Sequence, residues 1–131
     1  MNLLVTLDSK YIKPLKVMLA SMFLNNPAEN FSIYLMHSRI NDNEIADIEK
    51  FVESYGQKLS VIKIDNQYFQ DAPVVFHYTK EMYYRLLAYN FLPAELDRIL
   101  YLDPDILVIN PVRELYDTGL DGYLYAAAYH N

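Results

Sequence analysis

The sequence contains no cysteine, few glycines and no cluster of basic residues. Without cysteine the chain can form no disulfide, no thiolate metal site and no thiol nucleophile. The 3 glycines form no Gly-x-Gly-x-x-Gly after the first apolar run, which excludes the phosphate-binding turn of a dinucleotide oxidoreductase. The net charge is −6 and no stretch gathers lysine and arginine, so we expect no nucleic-acid binding. The apolar run at residues 3–7 ends at Asp8 and is too short for a signal peptide or a membrane span.

The chain is rich in apolar and aromatic residues. Of its 131 residues 53% are hydrophobic and 13 are tyrosines, which suffices for one domain with a substantial core over residues 1–131. Tyrosine favours wet, aromatic-lined surfaces, because its ring packs while its hydroxyl stays hydrogen-bonded. An acidic domain that binds a polyanion needs added positive charge. A divalent metal ion and one or two placed cationic side chains would supply it.

Apolar patterns along the chain alternate between strand and helix spacing. Strands are predicted at residues 3–7, 31–36, 59–64, 98–102 and 106–109, with one more at 123–129. Helices are predicted at residues 15–23, 44–55 and 80–92, and a long polar and aromatic loop at 65–78. Asn41 and Glu44 have the spacing of a capping box before the second helix. This order predicts an α/β fold of Rossmann-like type, with a mixed but mostly parallel sheet flanked by helices.

Acidic residues follow two of the predicted strands. Asp8 comes after the first strand, and Asp103 and Asp105 come after the fourth. Because ligands of open α/β sheets bind at the carboxyl ends of strands, these acids line one crevice if the two strands are neighbours. The fixed φ of Pro104 can turn the two neighbouring carboxylates toward one hard cation, Mn²⁺ or Mg²⁺. An Asp-x-Asp alone is a weak signal, since solvated acids at strand ends are common.

The segment Arg98–Val108, which reads RILYLDPDILV, closely resembles the hallmark segment of glycosyltransferase family 8, whose members are retaining enzymes. Three further stretches resemble the same family in its order: Val5–Tyr11, Tyr83–Leu86, and Leu92 to Arg98. The resemblance covers the whole chain, which makes it far more specific than any single motif. It implies the GT-A fold and a nucleotide-sugar donor.

The resemblance also implies a role for individual side chains. Residues of the first turn would hold the uracil and ribose of a UDP-sugar: Thr6, Leu7, Asp8 and Tyr11, the last by stacking its ring on the base. Arg85 would contact the phosphate or sugar of the donor. Asp103 would bridge the metal ion and the ribose, and Asp105 would bind the metal ion.

Each of these roles has a purely structural alternative. Asp8 and Ser9 could cap the helix that follows. Tyr11 could be a half-buried core aromatic, and Arg85 could pair with Glu81 one helical turn earlier.

The sequence departs from the family pattern in two places and lacks one ligand. Pro104 has no backbone N–H to offer a ribose, and Lys10 stands where some relatives have a short polar residue. The histidine that completes the family's metal site lies far downstream, and none of His37, His77 and His130 takes its position. We therefore expect a chain that binds a nucleotide but is incomplete for catalysis.

The function implied is transfer of a hexose, with retention, from UDP-glucose or UDP-galactose to a hydroxyl of a glycan or lipid-linked saccharide. Two alternatives stay open: a phosphatase of the haloacid dehalogenase type, and a non-catalytic nucleotide-binding domain. The phosphatase normally carries Thr or Val two residues after the second aspartate, where this chain has Leu107. We expect the N-terminal half of a longer cytoplasmic enzyme. Peripheral association with the inner membrane and the oligomeric state are left open.

Overall fold

A computed structural model describes residues 1–65 and 81–128 of the chain, with the side chains of residues 81 and 82 left aside. The strands are β1 (Asn2–Thr6), β2 (Ser32–His37), β3 (Lys58–Lys63) and β4 (Leu100–Tyr101). The helices are α1 (Ile12–Asn25), α2 (Asp42–Ser54), α3 (Glu81–Leu87) and α4 (Arg113–Tyr116). Short 3₁₀ turns cover Ser9–Tyr11 and Ala88–Asn90.

Within the described residues the strands form one parallel sheet in the order β3-β2-β1-β4. Alternate side chains of β1 point to opposite faces of the sheet. Both sets are buried, because helices cover both faces. Leu3 and Val5 pack under α1 and α2, and Leu4 packs on the other face against Tyr84 of α3. The predicted α/β fold with a mostly parallel sheet between helices is confirmed.

The first two helices form where the sequence predicts them. On α1 the predicted apolar face is buried: Leu15, Met18, Leu19, Met22 and Phe23. At the start of α2, Asn41 Oδ1 accepts from the Glu44 amide at 3.0 Å and a Glu44 carboxylate oxygen accepts from the Asn41 amide at 3.1 Å. This reciprocal pair is the predicted capping box. Gly56 follows the helix with a φ of 71°, a conformation that favours glycine. None of the described helices is long and apolar enough to cross a bilayer.

The later part of the chain differs from the prediction. The helix predicted over 80–92 is α-helical only at Glu81–Leu87 before the 3₁₀ turn, and the strand predicted over 98–102 shrinks to Leu100–Tyr101. The strands predicted at residues 106–109 and 123–129 are wrong for the described residues, since none of 106–109 and 123–128 is in a strand. Of the loop predicted at 65–78, residues 66–78 lie outside the described chain. Leu124 is 97% exposed, so an apolar pattern at 123–128 does not lead to burial.

In the segment 106–109 the backbone groups of Val108 bond to side chains of α1 instead of to a neighbouring strand. The Val108 amide donates to Ser21 Oγ at 3.0 Å, and the Val108 carbonyl accepts from Asn25 Nδ2 at 3.0 Å. The Val108 side chain meanwhile enters the core. Backbone groups that are satisfied by a neighbouring helix have no need of a strand partner.

Asn26 ties the segment after β4 to the end of α1. Its Oδ1 accepts from the Val112 amide at 2.8 Å and its Nδ2 donates to the Met22 carbonyl at 2.8 Å, and the residue is 4% exposed.

We expect Asn26→Ala to lower the free energy of unfolding by about 1–3 kcal/mol, because the buried amide of Val112 loses its acceptor. Urea denaturation measures the change. The exposed Asn30→Ala is the matched control, and an equal loss in both variants would contradict the assignment.

Candidate functional site

The candidate site lies where β1 and β4 end side by side. Leu4 of β1 pairs with Tyr101 of β4, and the Leu102 amide donates to the Leu4 carbonyl at 3.2 Å. Since the two strands are parallel, the turn after β1 and the Asp103–Asp105 turn leave the sheet at the same edge. The expected neighbourhood of β1 and β4 is thus present, with β4 at the border of the described sheet.

Tyr101 connects three of the predicted site residues. Its hydroxyl donates to Asp103 Oδ1 at 2.8 Å and lies 3.4 Å from the hydroxyl of Thr6. The guanidinium carbon of Arg85 lies over the Tyr101 ring, 5.2 Å from its centroid, at the distance of a cation–π contact. Thr6, Arg85 and Asp103 come from β1, α3 and the turn after β4, so only the folded chain brings them to one phenol.

The phenol of Tyr101 is held in its protonated form. Burial raises its pKa above the ordinary value, and the hydrogen bond to the Asp103 carboxylate raises it too, while the Thr6 hydroxyl and the charge of Arg85 lower it. A protonated phenol is the form that can donate to a carboxylate. Sequence reasoning did not assign a role to Tyr101. The available signal was its position two residues before Asp103, which puts both on one face of extended backbone.

The turn after β1 contains the residues predicted to hold the base and ribose. Asp8 Oδ1 accepts from the Lys10 amide at 2.8 Å, so Asp8 caps the 3₁₀ turn as the structural alternative proposed. Ser9 does not cap: its hydroxyl donates to Glu44 Oε2 at 2.8 Å and links this turn to the start of α2. Tyr11 is 40% exposed, which leaves its ring accessible instead of part of the core.

Leu7, which the family resemblance gives a place in the nucleotide site, is buried. The residue is 2% exposed, and its side chain belongs to the core between the sheet and α1. Its amide already donates to the Met36 carbonyl at 3.4 Å. The predicted contact of Leu7 with the base or ribose stays a prediction.

Asp103 and Asp105 are exposed, whereas Pro104 between them is buried. Their carboxylates are hard oxygen donors of the kind that Mn²⁺ and Mg²⁺ accept, so the pair fits a divalent cation by donor type. The described residues contain no cluster of three or more acidic, histidine or cysteine side chains suited to a metal ion. Further ligands would have to come from a bound phosphate or from other residues.

Of the three histidines, His37 is described and His77 and His130 lie outside the described residues. His37 is 3% exposed, and its Nδ1 accepts from the Ile40 amide at 3.1 Å. Burial lowers its pKa, with a contribution from the nearby charge of Lys63. His37 is thus a neutral structural residue at the end of β2.

Arg85 is exposed, and the contact that the structure describes for it is the Tyr101 ring. The alternative pairing with Glu81 involves a side chain outside the described set. The neighbouring Tyr84 is 1% exposed and fills the core between α3 and the sheet. The helix therefore buries Tyr84 and presents Arg85 at the site.

Comparison with solved structures supports the same fold. The chain is similar to the galactosyltransferase LgtC, solved in complex with donor and acceptor sugar analogues, with a TM-score of 0.83 and 24% identity. The match covers 92% of this chain and 43% of that protein. The GT-A fold expected from the sequence is confirmed by this likeness.

Sequence comparison identifies the family. A lipopolysaccharide 1,2-glucosyltransferase of Escherichia coli K12 is 29% identical over 96% of this chain and 37% of its own length. A lipopolysaccharide 1,3-galactosyltransferase of Salmonella typhimurium is 24% identical over 88% of this chain and 34% of its own length. The chain thus spans little more than a third of these relatives. The family model described as glycosyl transferase family 8 matches residues 2–131, and the chain belongs to that family.

Proposed function

We propose that this chain forms the nucleotide-sugar-binding part of a glycosyltransferase that moves a hexose from a UDP-sugar to a hydroxyl of a saccharide acceptor. The observation that carries the proposal is the cluster around Tyr101, in which Thr6, Arg85 and Asp103 meet at the carboxyl edge of the sheet. One cationic and one anionic side chain there suit a ligand that carries both phosphate and a bound cation.

The relatives support the class of donor and acceptor. They are named for transfer of glucose or galactose to lipopolysaccharide, and the LgtC structure holds donor and acceptor sugar analogues. We therefore propose UDP-glucose or UDP-galactose as the donor, and a glycan or lipid-linked saccharide as the acceptor. Retention at the anomeric carbon and a cytoplasmic location stay predictions.

Each side chain of the site has a proposed task. Tyr11, which is 40% exposed, would stack its ring on the uracil, and Thr6, Leu7 and Asp8 would hold the base and ribose. Arg85 would neutralise a donor phosphate.

The two aspartates have their own proposed task. Asp103 and Asp105 would hold Mn²⁺ or Mg²⁺, and Asp103 would also reach the ribose. When bound, such a cation offsets the negative charge that grows on the departing diphosphate.

Binding is proposed for this chain and transfer for the whole protein. The chain covers little more than a third of the relatives' length. We therefore propose that contacts to the acceptor and further metal ligands come from the part of the enzyme that corresponds to the rest of those relatives. A haloacid dehalogenase phosphatase is not favoured, since the chain belongs to another family. If catalysis requires that further part of the enzyme, the 131-residue chain by itself is a nucleotide-binding domain without transferase activity.

Calorimetric titration of UDP, UDP-glucose and UDP-galactose into the 131-residue chain, with and without manganese, tests the proposal. We expect binding that requires manganese and is similar for the three ligands, because the proposed contacts are to the nucleotide that all three share. Circular dichroism of the same sample establishes that the chain is folded. A folded chain that binds none of the ligands would contradict nucleotide binding by this part of the protein.

A further inference from the structure

We infer that Tyr101 is a positioning residue that fixes the carboxylate of Asp103 and the guanidinium of Arg85 for opposite parts of one ligand. The inference about the two side chains rests on their contacts in the structure. Its consequence for nucleotide binding rests on the function proposed above.

Tyr101 is itself firmly placed. Its backbone belongs to β4 and pairs with Leu4 of the adjacent β1. Its ring is partly buried and packs against the core cluster that contains Leu4, Met36 and Tyr84. A side chain that packs on the core can hold its exposed neighbours at a defined place, because the packing restricts its own conformations.

The hydroxyl of Tyr101 has one proton, which decides which group donates in its hydrogen bonds with Asp103 and Thr6. An ionised carboxylate only accepts, so the single phenol proton goes to Asp103 Oδ1 at 2.8 Å. The Thr6 hydroxyl, 3.4 Å away, is then the group that donates to the phenol oxygen. The chain of donors runs from Thr6 through Tyr101 to Asp103. One oxygen of Asp103 is thereby engaged, and the described residues give its Oδ2 no hydrogen bond.

The ring of Tyr101 keeps Arg85 near Asp103 without an ion pair between them. Arg85 lies over the ring at 5.2 Å, and the ion pairs among the described residues include neither Arg85 nor Asp103. A direct ion pair would neutralise both side chains before a ligand arrived. The phenol instead holds both charges at the site edge, the cation for a phosphate and the anion for a metal ion or ribose hydroxyl.

Tyr101→Phe tests the part of this role that belongs to the hydroxyl, the placing of Asp103, because the variant removes the hydroxyl and keeps the ring beside Arg85. Tyr34→Phe is the matched control: Tyr34 also pairs with Leu4, from β2, and packs against the same core cluster. Three-bond couplings of the Asp103 Cβ protons, measured by NMR without ligand, report whether its side chain occupies one rotamer. We expect one rotamer in the unaltered chain and in Tyr34→Phe, and averaged couplings in Tyr101→Phe. Unchanged Asp103 couplings in Tyr101→Phe would overturn the inference.

The same three proteins are then titrated with UDP in the presence of manganese. We expect Tyr101→Phe to weaken binding about tenfold, equivalent to about 1.4 kcal/mol, and Tyr34→Phe to leave it unchanged. Unchanged affinity in Tyr101→Phe would overturn the consequence for binding. If the unaltered chain binds no UDP while the Asp103 couplings respond as expected, the positioning role stands and the proposed nucleotide binding by this chain fails.

Discussion

Replacing Asp103 and Asp105 together by alanine is expected to remove the manganese-dependent binding of UDP to the folded chain. Both side chains are exposed, so their loss creates no cavity and should leave the free energy of unfolding within about 0.5 kcal/mol. Their carboxylates are the proposed metal ligands. Loss of residues that merely orient metal ligands costs about 10–100-fold in affinity, so we expect a decrease on the order of 100-fold or more. Calorimetry with and without manganese measures it.

The chain contains a matched control for this double variant. Glu95 and Asp97 are two exposed carboxylates with the same spacing, and they precede β4 instead of following it. Replacing either pair by alanine changes the formal net charge by two, from −6 to −4. A purely long-range charge effect would therefore act alike in both variants, whereas direct ligation predicts a loss only at Asp103 and Asp105. Equal binding in the two variants would rule out the proposed metal site.

Truncating Leu19 to alanine is expected to cost about 2–5 kcal/mol of unfolding free energy. Leu19 lies on the inner face of α1, is 0% exposed, and belongs to the core cluster between this helix and the sheet. Its truncation removes buried apolar surface and leaves a cavity. Because whole domains are stable by only about 5–15 kcal/mol, the change takes a large share of the total. Chemical denaturation with urea gives the size of the loss.

Leu24→Ala is the control on the same helix. Leu24 is 70% exposed, so the same truncation there should change the unfolding free energy by no more than about 0.5 kcal/mol. A similar loss at both positions would mean that α1 is not packed on the sheet through the face that contains Leu19. The comparison also bears on the site, because α1 follows directly on the 3₁₀ turn that contains Tyr11.

Local patterns predicted the first half of the fold well. The capping box of Asn41 and Glu44, the helical spacing of Leu15 to Phe23 and the apolar run of β1 are properties of neighbouring residues. They therefore act in the same way whatever surrounds them. The segment around Val108 shows the limit of such patterns. Its apolar residues predict a strand, but its backbone bonds to Ser21 and Asn25, more than 80 positions earlier in the chain.

The residues of the candidate site also differ in how far the sequence could predict them. The acids Asp8, Asp103 and Asp105 could be found in the sequence because they follow apolar runs, and the family resemblance added Thr6, Tyr11 and Arg85. The family itself is confirmed, whereas the roles of these side chains stay predictions. The two sources differed on Leu7: the apolar run at residues 3–7 is typical of a buried strand, whereas the resemblance implies a contact with the nucleotide, and the structure buries the residue.

The sequence by itself determined the family, the alternation of strands and helices, and the acidic residues that follow the strands. Only the tertiary structure decided that Tyr101 joins Thr6, Arg85 and Asp103. Thr6 and Tyr101 are separated by 95 positions along the chain. They meet because β1 and β4 pair in parallel, and which strands become neighbours depends on how the two faces of the whole sheet are buried by helices.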